Sequence, residues 1–400
     1  MSSSPSQPLA GRRIWLGGIG GAGMSAYALL AHAWGAEVAG WDRVETPYLA
    51  HLNKAISVVV EPEPPSPPDG WEPYISTAYA GRIEGRPRAE LLAELVSLRR
   101  SIVVAGAHGK TTTSGMIAFC LDRLGLDPAF LIGGEVPQLG GNARAGAGVL
   151  VVEGDESDRS VCALRPEIAV LLNVDLDHHA TFATRADVSA LFEDWLAEVP
   201  AVVRAEEVPP LEPEIVLAVP GEHNRRNAAA ALAALELAGV ARGDAERVIV
   251  DFEGAGRRLE RKGEAGGVRV LDSYAHHPAE LSADLAALDG GGRVLALFQP
   301  HLYSRTAHLA YEFATALAAA DGVCVTEVYP AREEPLPGVT GRLIVDELAR
   351  VRPGMLLGWA PATADGARIV AAWARDGDTV ITLGAGDVDG VAPLLLELLA

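Results

Sequence analysis

The sequence predicts an α/β protein of three domains, each built around a sheet of mostly parallel strands. Short apolar strands alternate with helices along the whole chain, and this alternation is typical of parallel sheets that are covered by helices. The chain has 400 residues, more than one ordinary hydrophobic core organises. A charged pair at 99–100 and a glycine-rich turn near 256 then predict domains at 1–100, 101–256 and 257–400.

The first domain begins with a strand at 13–20 and a helix at 22–35, and a second strand follows at 36–42. The next segment, 61–73, is rich in proline. We predict that it is a surface loop, because proline has no N–H group for a helix or a central strand. A helix at 88–100 ends the domain.

The second and third domains show the same alternation of short apolar runs and helices. In the second domain, the predicted strands are 101–106, 148–154, 167–173 and 214–219, and the predicted helices are 111–124, 185–196 and 224–239. In the third domain, the predicted strands are 268–273, 293–299, 322–328 and 378–385, with helices between them. Short apolar runs of this kind are typical of strands buried on both faces.

Composition and charge narrow the class of protein. The formal net charge of −20 argues against a general nucleic-acid binder, which would carry a basic surface. No apolar run is long enough to cross a bilayer, and the polar start of the chain lacks the apolar core of a signal peptide. The three cysteines have neither metal-ligand spacing nor the pattern of a disulfide framework. We therefore expect a globular protein of the reducing cytoplasm.

A glycine-rich turn, GGIGGAG, follows the first strand. Gly18, Gly20 and Gly23 have the G-x-G-x-x-G spacing of Rossmann-like domains, in which the backbone approaches a diphosphate and a helix N-terminus adds positive charge. Asp42 ends the next strand, where a partner for ribose hydroxyls would lie. Alone, the motif indicates an NAD-binding domain, and a tightly packed turn without a ligand is the alternative.

A second glycine turn, AGAHGKTTT, follows the strand at 101–106. It departs from the strict phosphate-loop pattern because Val104 stands where the first glycine would be. The shorter cradle from Gly106 to Thr111 keeps the physical elements: backbone N–H groups, the positive charge of Lys110, and a hydroxyl on Thr111 that can bind Mg²⁺. Since a lysine in such a turn seldom serves packing alone, we expect a nucleotide phosphate here.

Acidic and imidazole side chains follow the next two strands of the second domain. They are Glu153, Asp155, Glu156 and Asp158 after one strand, and Asp175, Asp177, His178 and His179 after the other. Parallel sheets bind ligands at the carboxyl ends of their strands, and hard oxygen ligands with an imidazole suit Mg²⁺ or Mn²⁺. Without the phosphate turn, an ordinary acidic loop would be the preferred interpretation.

Three further clusters carry polar side chains at element ends. His223, Asn224 and Asn227 stand at a predicted helix start, where asparagine can contact an adenine edge or simply cap the helix. The other two clusters follow strands of the third domain and contain Tyr274, His276, His277, His301 and Arg305. Two such clusters at strand ends favour a binding site over a purely structural role.

Together these motifs resemble those of the Mur ligases, the ATP-dependent amide-forming enzymes of peptidoglycan synthesis. The resemblance covers nearly the whole chain and keeps its order: GGIGGAGMS, AGAHGKTTT, VVEGDESD, NVDLDHH, GEHNRRNAAAA, FEGAGRRLE, DSYAHHPAE, FQPHLYSRT and TLGAGDV. It implies a Rossmann-like N-terminal domain, a central domain like those of P-loop ATPases, and a Rossmann-like C-terminal domain. The YAHHP and FQPH motifs favour the branch that joins L-alanine to UDP-N-acetylmuramate.

The resemblance also implies which turn takes which ligand. The first takes the UDP end of the sugar substrate and not NAD, through Gly18, Gly20, Gly21, Ala22, Gly23, Met24, Ser25 and Asp42. The second takes ATP, through Gly106, Ala107, His108, Gly109, Lys110, Thr111 and Thr112. Further ATP contacts would come from His223, Asn224, Asn227, Arg257, Arg258 and Asp272. The third domain would close over the other two.

Metal and catalytic roles follow from the same resemblance. Thr111, Glu153 and His178 would bind Mg²⁺ or Mn²⁺, and Tyr274, His276, His277 and His301 would surround the amino acid. The catalytic set would be Lys110, His178, His277, His301 and Arg305. The implied reaction forms an acyl phosphate on the lactyl carboxylate, which the amine attacks with loss of phosphate.

The chain also departs from the family pattern. Ala107, Ala180, Ser273 and Leu302 stand where the family has a small hydroxyl residue, Asp, Asp and Arg, and the chain is shorter in the first domain and between about 182 and 221. These departures leave the alternative that the chain is a noncatalytic relative that binds a nucleotide sugar. The first glycine turn, taken alone, leaves the further alternative that the chain is an NAD-dependent oxidoreductase. The expected assembly is a monomer or a homodimer.

Overall fold

The computed structural model describes residues 7–52, 54–175, 181–288, 290, 292–331 and 333–400. Its contacts divide the chain into two compact units. The first consists of Met1–Val219 and Asn224–Ala255, and the second of Pro220–His223 and Gly256–Ala400. Among the described residues, no helix combines the length and the apolar character that a membrane span requires.

The first sheet lies in the first unit and has five parallel strands in the order β3-β2-β1-β4-β5. The strands are β1 Arg13–Gly17, β2 Glu37–Asp42, β3 Ser57–Val60, β4 Glu72–Ile75 and β5 Arg86–Pro87. The helices are α1 Ala22–Ala33 and α2 Arg88–Ser97. The predicted strand–turn–helix–strand order at the start of the chain is confirmed.

The predicted loop at 61–73 is wrong at its end. Glu72 and Pro73 begin β4, which lies between β1 and β5. A proline removes one hydrogen bond from such a ladder. The next two residues, Tyr74 and Ile75, are buried, and removing their apolar surface from water favours the strand despite the proline.

The second sheet, also in the first unit, has the order β11-β10-β6-β9-β7-β8. Its strands are β6 Ser101–Ala105, β7 Ala129–Val136, β8 Gly141–Arg144, β9 Leu150–Glu153, β10 Ile168–Leu171 and β11 Ala201–Arg204. The helices are α3 Lys110–Arg123, α4 Arg185–Leu196, α5 Glu222–Leu237 and α6 Arg242–Ile249. β8 is antiparallel to β7, and the other pairs are parallel.

The strand predicted at 214–219 is not formed. The edge position beside β10 belongs to β11, which directly follows α4 and so completes a short β–α–β connection. The segment 214–219 is irregular, and its Val216 is 74% exposed. The apolar residues of this segment alone do not show that β11 already occupies the edge of the sheet.

The third sheet lies in the second unit and has the order β12-β13-β17-β14-β15-β16, with only β12 antiparallel to its neighbour. Its strands are β12 Glu260–Ala265, β13 Val268–Ser273, β14 Val294–Phe298, β15 Gly322–Val325, β16 Leu356–Trp359 and β17 Thr379–Leu383. The helices are α7 Pro278–Ala287, α8 Tyr303–Leu317, α9 Arg342–Val351, α10 Thr363–Trp373 and α11 Ala392–Leu399. The four strands predicted from the sequence are the inner four.

Side chains of β6 show how the first unit is layered. Ile102 and Val104 pack in one cluster with residues of α3 and α5. Val103 and Ala105, which point to the opposite face, share a cluster with residues of α4 and of α1. Because α1 belongs to the first sheet, this second cluster joins the first two sheets into one unit.

Candidate active site

The second glycine turn connects β6 to α3 and is closely enclosed. Gly106 and Gly109 have positive φ angles of 132° and 86°. A Cβ atom on Gly109 would lie 2.6 Å from the side-chain oxygen of Asn227, and one on Gly106 would lie 2.9 Å from the carbonyl oxygen of Asn173. Any side chain at these positions would both strain the backbone and clash, so the turn requires glycine.

Asn173 holds the middle of this turn. Its side-chain oxygen accepts a hydrogen bond from the His108 N–H, and its side-chain amide donates to the His108 carbonyl oxygen, both at 2.9 Å. The His108 ring lies beside Asp175, with 3.8 Å between Nε2 and the carboxylate. Asn173 was not predicted from the sequence, although the strand-end rule that indicated Glu153 applies equally to a residue just after β10.

Thr111 and Glu153 form a pair of oxygen groups at the start of α3. The Thr111 hydroxyl donates to Oε2 of Glu153 at 2.9 Å, and the Gly133 N–H donates to the same oxygen at 2.8 Å. A Cβ atom on Gly133 would lie 2.7 Å from both carboxylate oxygens, so this approach also needs glycine. A hydroxyl beside a carboxylate fits the oxygen chemistry of Mg²⁺.

The other predicted metal ligand, His178, lies outside the described residues, and so do Asp177, His179 and Ala180. Its role as a ligand and as a catalytic residue stays a prediction.

The Lys110 amine is held inside the turn. Nζ donates to the Gly106 carbonyl oxygen at 2.6 Å and lies 3.0 and 3.1 Å from the two carboxylate oxygens of Glu156. Glu156 is only 2% exposed. Burial lowers the pKa of Lys110, but the negative charges of Glu156 and Glu153 outweigh that effect and raise the pKa above its ordinary value. The result is a partly buried, protonated amine at a helix start.

Two acids of the same segment contact Arg88, the first residue of α2. One guanidinium nitrogen, Nη2, lies 2.7 Å from Asp158 and 3.4 Å from Asp155. The other, Nη1, lies 3.4 Å from the position that a Cβ atom on Gly23 would take. A cation therefore stands beside the glycine turn at the start of α1, where the helix already presents positive charge. No sequence pattern marked Arg88.

The first glycine turn is organised by Asp42 and Thr46. The Asp42 carboxylate accepts from the Gly20 N–H at 2.8 Å, and the Thr46 hydroxyl donates to the Gly20 carbonyl oxygen at 2.7 Å. Gly18 has φ of 84°, and a Cβ atom there would lie 2.8 Å from Ser76. Asp42 thus ends β2 as predicted and shapes the turn. Its contact with a ribose stays a prediction.

Asn224 and Asn227 lie in the first two turns of α5, and both are buried. Asn227 also contacts the turn at Gly109, as the clash distance above shows. Their contact with adenine stays a prediction. His223, one residue earlier, belongs to the second unit, where burial and the positive charge of Arg258 lower its pKa.

In the second unit, a buried ion pair ties Arg257 to the end of β13. Arg257 Nε donates to Asp272 at 2.9 Å, and the Thr382 hydroxyl donates to the other carboxylate oxygen at 2.5 Å. The Arg257 guanidinium also donates to the carbonyl oxygens of Gly384 and Gly386. These contacts give Arg257 and Asp272 a structural role. Their contact with ATP stays a prediction.

A row of four rings lies at the carboxyl ends of the third sheet. Tyr274 and His276 have centroids 5.2 Å apart, His276 and His301 are 5.6 Å apart, and His301 stacks on Tyr329 at 5.9 Å. The structure therefore brings three of the four residues predicted for the amino acid into one row. Tyr329, which follows β15 at the same edge of the sheet, was not predicted from the sequence.

The remaining predicted residues of this unit surround the row. The Arg258 guanidinium lies 5.6 Å from the Tyr274 ring centroid and 3.4 Å from the Glu280 carboxylate. Arg305 is buried, and its positive charge acts on the Tyr274 hydroxyl. His277 is buried at the N-terminus of α7.

Two of the positions that depart from the family pattern also lie in this unit. Leu302 is the N-cap residue of α8 and has φ of 71°, an uncommon conformation for a residue other than glycine. The Ser273 hydroxyl donates to Asp284 of α7 at 2.5 Å, and burial raises the pKa of Asp284 to about 6. A carboxyl group therefore stands beside Ser273, supplied by a different element.

The fold and these turns define the class: an α/β protein with three sheets, a Rossmann-like glycine turn after its first strand, and a second turn of the phosphate-binding kind with a buried lysine. Three family profiles match successive segments of the chain. The profile of the "Mur ligase family, catalytic domain" matches residues 14–100, that of the "Mur ligase middle domain" matches 104–207, and that of the "Mur ligase, glutamate ligase domain" matches 257–386.

Relatives match over nearly the whole length. The UDP-N-acetylmuramate–L-alanine ligase of Streptomyces griseus is 37% identical, with 99% of each chain covered. That of Renibacterium salmoninarum is 39% identical over 97% of this chain and 96% of its own. A solved UDP-N-acetylmuramate–alanine ligase of Thermotoga maritima superposes with a TM-score of 0.77 at 25% identity, covering 96% of this chain and 98% of its own. The chain belongs to the Mur ligase family.

Proposed function

We propose that this chain is an ATP-dependent ligase that joins L-alanine to UDP-N-acetylmuramate in peptidoglycan synthesis. The observation that carries the proposal is the match over 99% of the chain to a relative of that name, in a structure whose phosphate turn is intact. The turn has both of its glycines, its lysine and the Thr111–Glu153 pair, and these residues are arranged around the start of one helix. A protein that bound only a nucleotide sugar would not need this second turn.

The two glycine turns divide the large substrates between them. The first, at 18–25 with Asp42, takes the UDP of the sugar substrate, in the domain that we place at 1–100. The second, at 106–112, takes the phosphates of ATP, in the domain at 101–256. The third domain, 257–400, contributes the ring row at Tyr274, His276 and His301 to the amino acid. Arg258 and Arg305 add positive charge in the same domain.

Thr111 and Glu153 would hold Mg²⁺, and His178 is the further ligand that the family resemblance implies. The fit rests on the oxygen atoms that these two described residues already direct to one place, 2.9 Å apart. When bound, the cation supplies positive charge that offsets the charge of the ATP phosphates during transfer. Mn²⁺ has the same preference for oxygen ligands and is the alternative.

The reaction consists of two transfers. An oxygen of the lactyl carboxylate forms a bond to the γ-phosphorus of ATP, and the bond from that phosphorus to ADP breaks. The neutral amine of L-alanine then attacks the acyl carbon, phosphate leaves with the bonding electrons of the C–O bond, and the amine loses a proton. Lys110 holds and neutralises phosphate oxygens in both steps, because its buried amine stays protonated.

The test is phosphate release measured across a panel of UDP-sugars and amino acids. Release that requires ATP, UDP-N-acetylmuramate and L-alanine together supports the ligase. Binding of UDP-N-acetylmuramate without release under any combination would favour the noncatalytic alternative, and NADH binding at the first turn would favour an oxidoreductase. A cytoplasmic location, and a monomeric or homodimeric state, belong to the proposal and are measured separately by fractionation and by light scattering.

A further inference from the structure

Lys110 already has an anionic partner in this structure, and that partner is not Glu153. The amine lies 3.0 and 3.1 Å from the two oxygens of Glu156, whereas Glu153 is engaged by Thr111 and Gly133. Neither the family resemblance nor the sequence motifs gave Glu156 a role of its own. If Lys110 contacts ATP as proposed above, a phosphate has to compete with this carboxylate for the amine.

We propose that Glu156 sets the nucleotide affinity of the chain: its carboxylate pairs with Lys110, and the phosphates of ATP must replace it. The inference rests on the proposed function, because it needs Lys110 to contact the nucleotide. Glu156 acts through Lys110 and is a positioning residue.

Burial explains why such a residue is needed. A protonated amine that is mostly removed from water is destabilised unless an opposite charge lies close to it. Glu156 supplies that charge, and the Gly106 carbonyl oxygen, at 2.6 Å, keeps Nζ within the turn. These two contacts stabilise the protonated lysine inside the turn.

The same burial makes Glu156 oppose nucleotide binding. Charges interact more strongly where water is largely excluded, and Glu156 is almost completely buried. An incoming phosphate has to break the Lys110–Glu156 pair. The released carboxylate then remains close to the negatively charged phosphates of the nucleotide. Removing the negative charge at 156 should therefore tighten the binding of nucleotide.

The test variant is Glu156→Gln, which keeps the size of the side chain and one acceptor oxygen but removes the charge. We expect its Kd for ADP and for ATP, measured by calorimetry with Mg²⁺, to fall about tenfold, which corresponds to about 1.4 kcal/mol. The KM for ATP should fall with it, while kcat does not rise. Glu156→Ala should change the affinity in the same direction and serves as the second variant should Gln prevent folding.

Glu167→Gln is the matched control. Glu167 is also paired with a cation, Arg100, at 2.7 Å. It precedes β10 and Arg100 precedes β6, so this pair lies at the amino ends of the parallel strands, opposite the phosphate turn. The control removes the same charge from the same unit, and its nucleotide affinity should stay within twofold of the parent.

A direct readout of Lys110 is available because the chain has only three lysines, Lys54, Lys110 and Lys262. Protein labelled with ¹³Cε-lysine should give three resonances, and Lys110→Arg identifies the one from Lys110. In nucleotide-free protein, Glu156→Gln should shift that resonance and leave the other two in place. Addition of ADP to the parent should also shift it.

Two results would overturn the inference: a nucleotide affinity in Glu156→Gln that equals or falls below that of the parent, or an unchanged Lys110 resonance in that variant. Failure of the proposed function looks different. The parent would then not bind ATP at all, or Lys110→Ala would bind it as tightly as the parent.

Discussion

Asp284 gives a pH-dependent prediction whose size follows from the structure. Burial raises its pKa from an ordinary 3.8 to about 6, whereas the Ser273 hydroxyl and the positive charge of Arg258 act in the opposite direction and Glu280 adds to the rise. The hydrogen bond from Ser273 measures 2.5 Å. The ionised form of Asp284 is therefore disfavoured in the folded chain.

The folded chain consequently binds this proton more tightly than the unfolded chain does. The stabilisation that results is fully present below about pH 4 and is lost as the pH rises through about 6. A shift of about two pKa units corresponds to about 3 kcal/mol. Asparagine cannot ionise but still accepts from Ser273, so Asp284→Asn should stabilise the second unit by up to about 3 kcal/mol above pH 7 and by far less at pH 4.

The assay is amide hydrogen exchange of the α7 peptide, 278–287, at pH 4 and pH 7.5, corrected for intrinsic exchange rates. A local measurement is preferable because a chain with several sheets need not unfold in one step. Asp365→Asn, an exposed acid of α10 in the same unit, is the control and should show no pH-dependent change. Equal effects of Asp284→Asn at both pH values would refute the argument.

Three further predictions concern the proposed reaction. Lys110→Ala should abolish ATP turnover, while calorimetry should still detect binding of UDP-N-acetylmuramate, because the two turns follow strands of different sheets. Loss of both ATP turnover and UDP-N-acetylmuramate binding would contradict the assignment of one substrate to each turn. Glu153→Ala should raise the Mg²⁺ concentration needed for half-maximal activity at least tenfold, since it removes a carboxylate ligand, whereas Glu167→Gln should leave it unchanged. L-Alanine should have a higher kcat/KM than glycine or L-serine, by roughly 10–200-fold, and glutamate or lysine should be excluded; a preference for either would contradict the assignment.

The sequence predicted most inner strands because they are buried on both faces, although it missed β4 and β7, which are also inner strands. β14 is apolar throughout and β6 is apolar after Ser101, as parallel strands between two helical layers require. The edge strands were missed for the opposite reason. β12 reads ERKGEA and is largely polar, and β5 has only two residues, so neither carries a periodic apolar signal.

The same distinction applies to the site. Residues that follow an inner strand or stand inside a glycine turn could be found from the sequence, because the fold class dictates where such positions meet. Arg88 could not, because it acts on Asp158, 70 residues further along the chain, across the contact between the first two sheets. Asp284 was equally hidden, since only the packing of α7 brings it to Ser273.

One short segment, EGDESD at 153–158, supplies acids to both glycine turns. Its four acids therefore stand close together in the sequence. Glu156 pairs with Lys110 of the second turn, and Asp155 and Asp158 pair with Arg88 beside the first. Each turn thus has a cation next to a helix start, and each cation is balanced by a carboxylate from 153–158.

This arrangement has a physical consequence. Two groups of positive charge at helix starts, in one unit, would repel and would strongly attract any anion if they were not compensated. The acids compensate the positive charge at both turns, and a ligand phosphate must compete with a carboxylate at either one. Because the competing carboxylates lie on neighbouring residues of one short segment, we expect displacement of a carboxylate at one turn to affect the acids at the other. Binding of the nucleotide sugar and of ATP should therefore be coupled, and the affinity for ADP should differ measurably in the presence and absence of UDP-N-acetylmuramate. Identical affinities under the two conditions would show that the segment balances each turn independently.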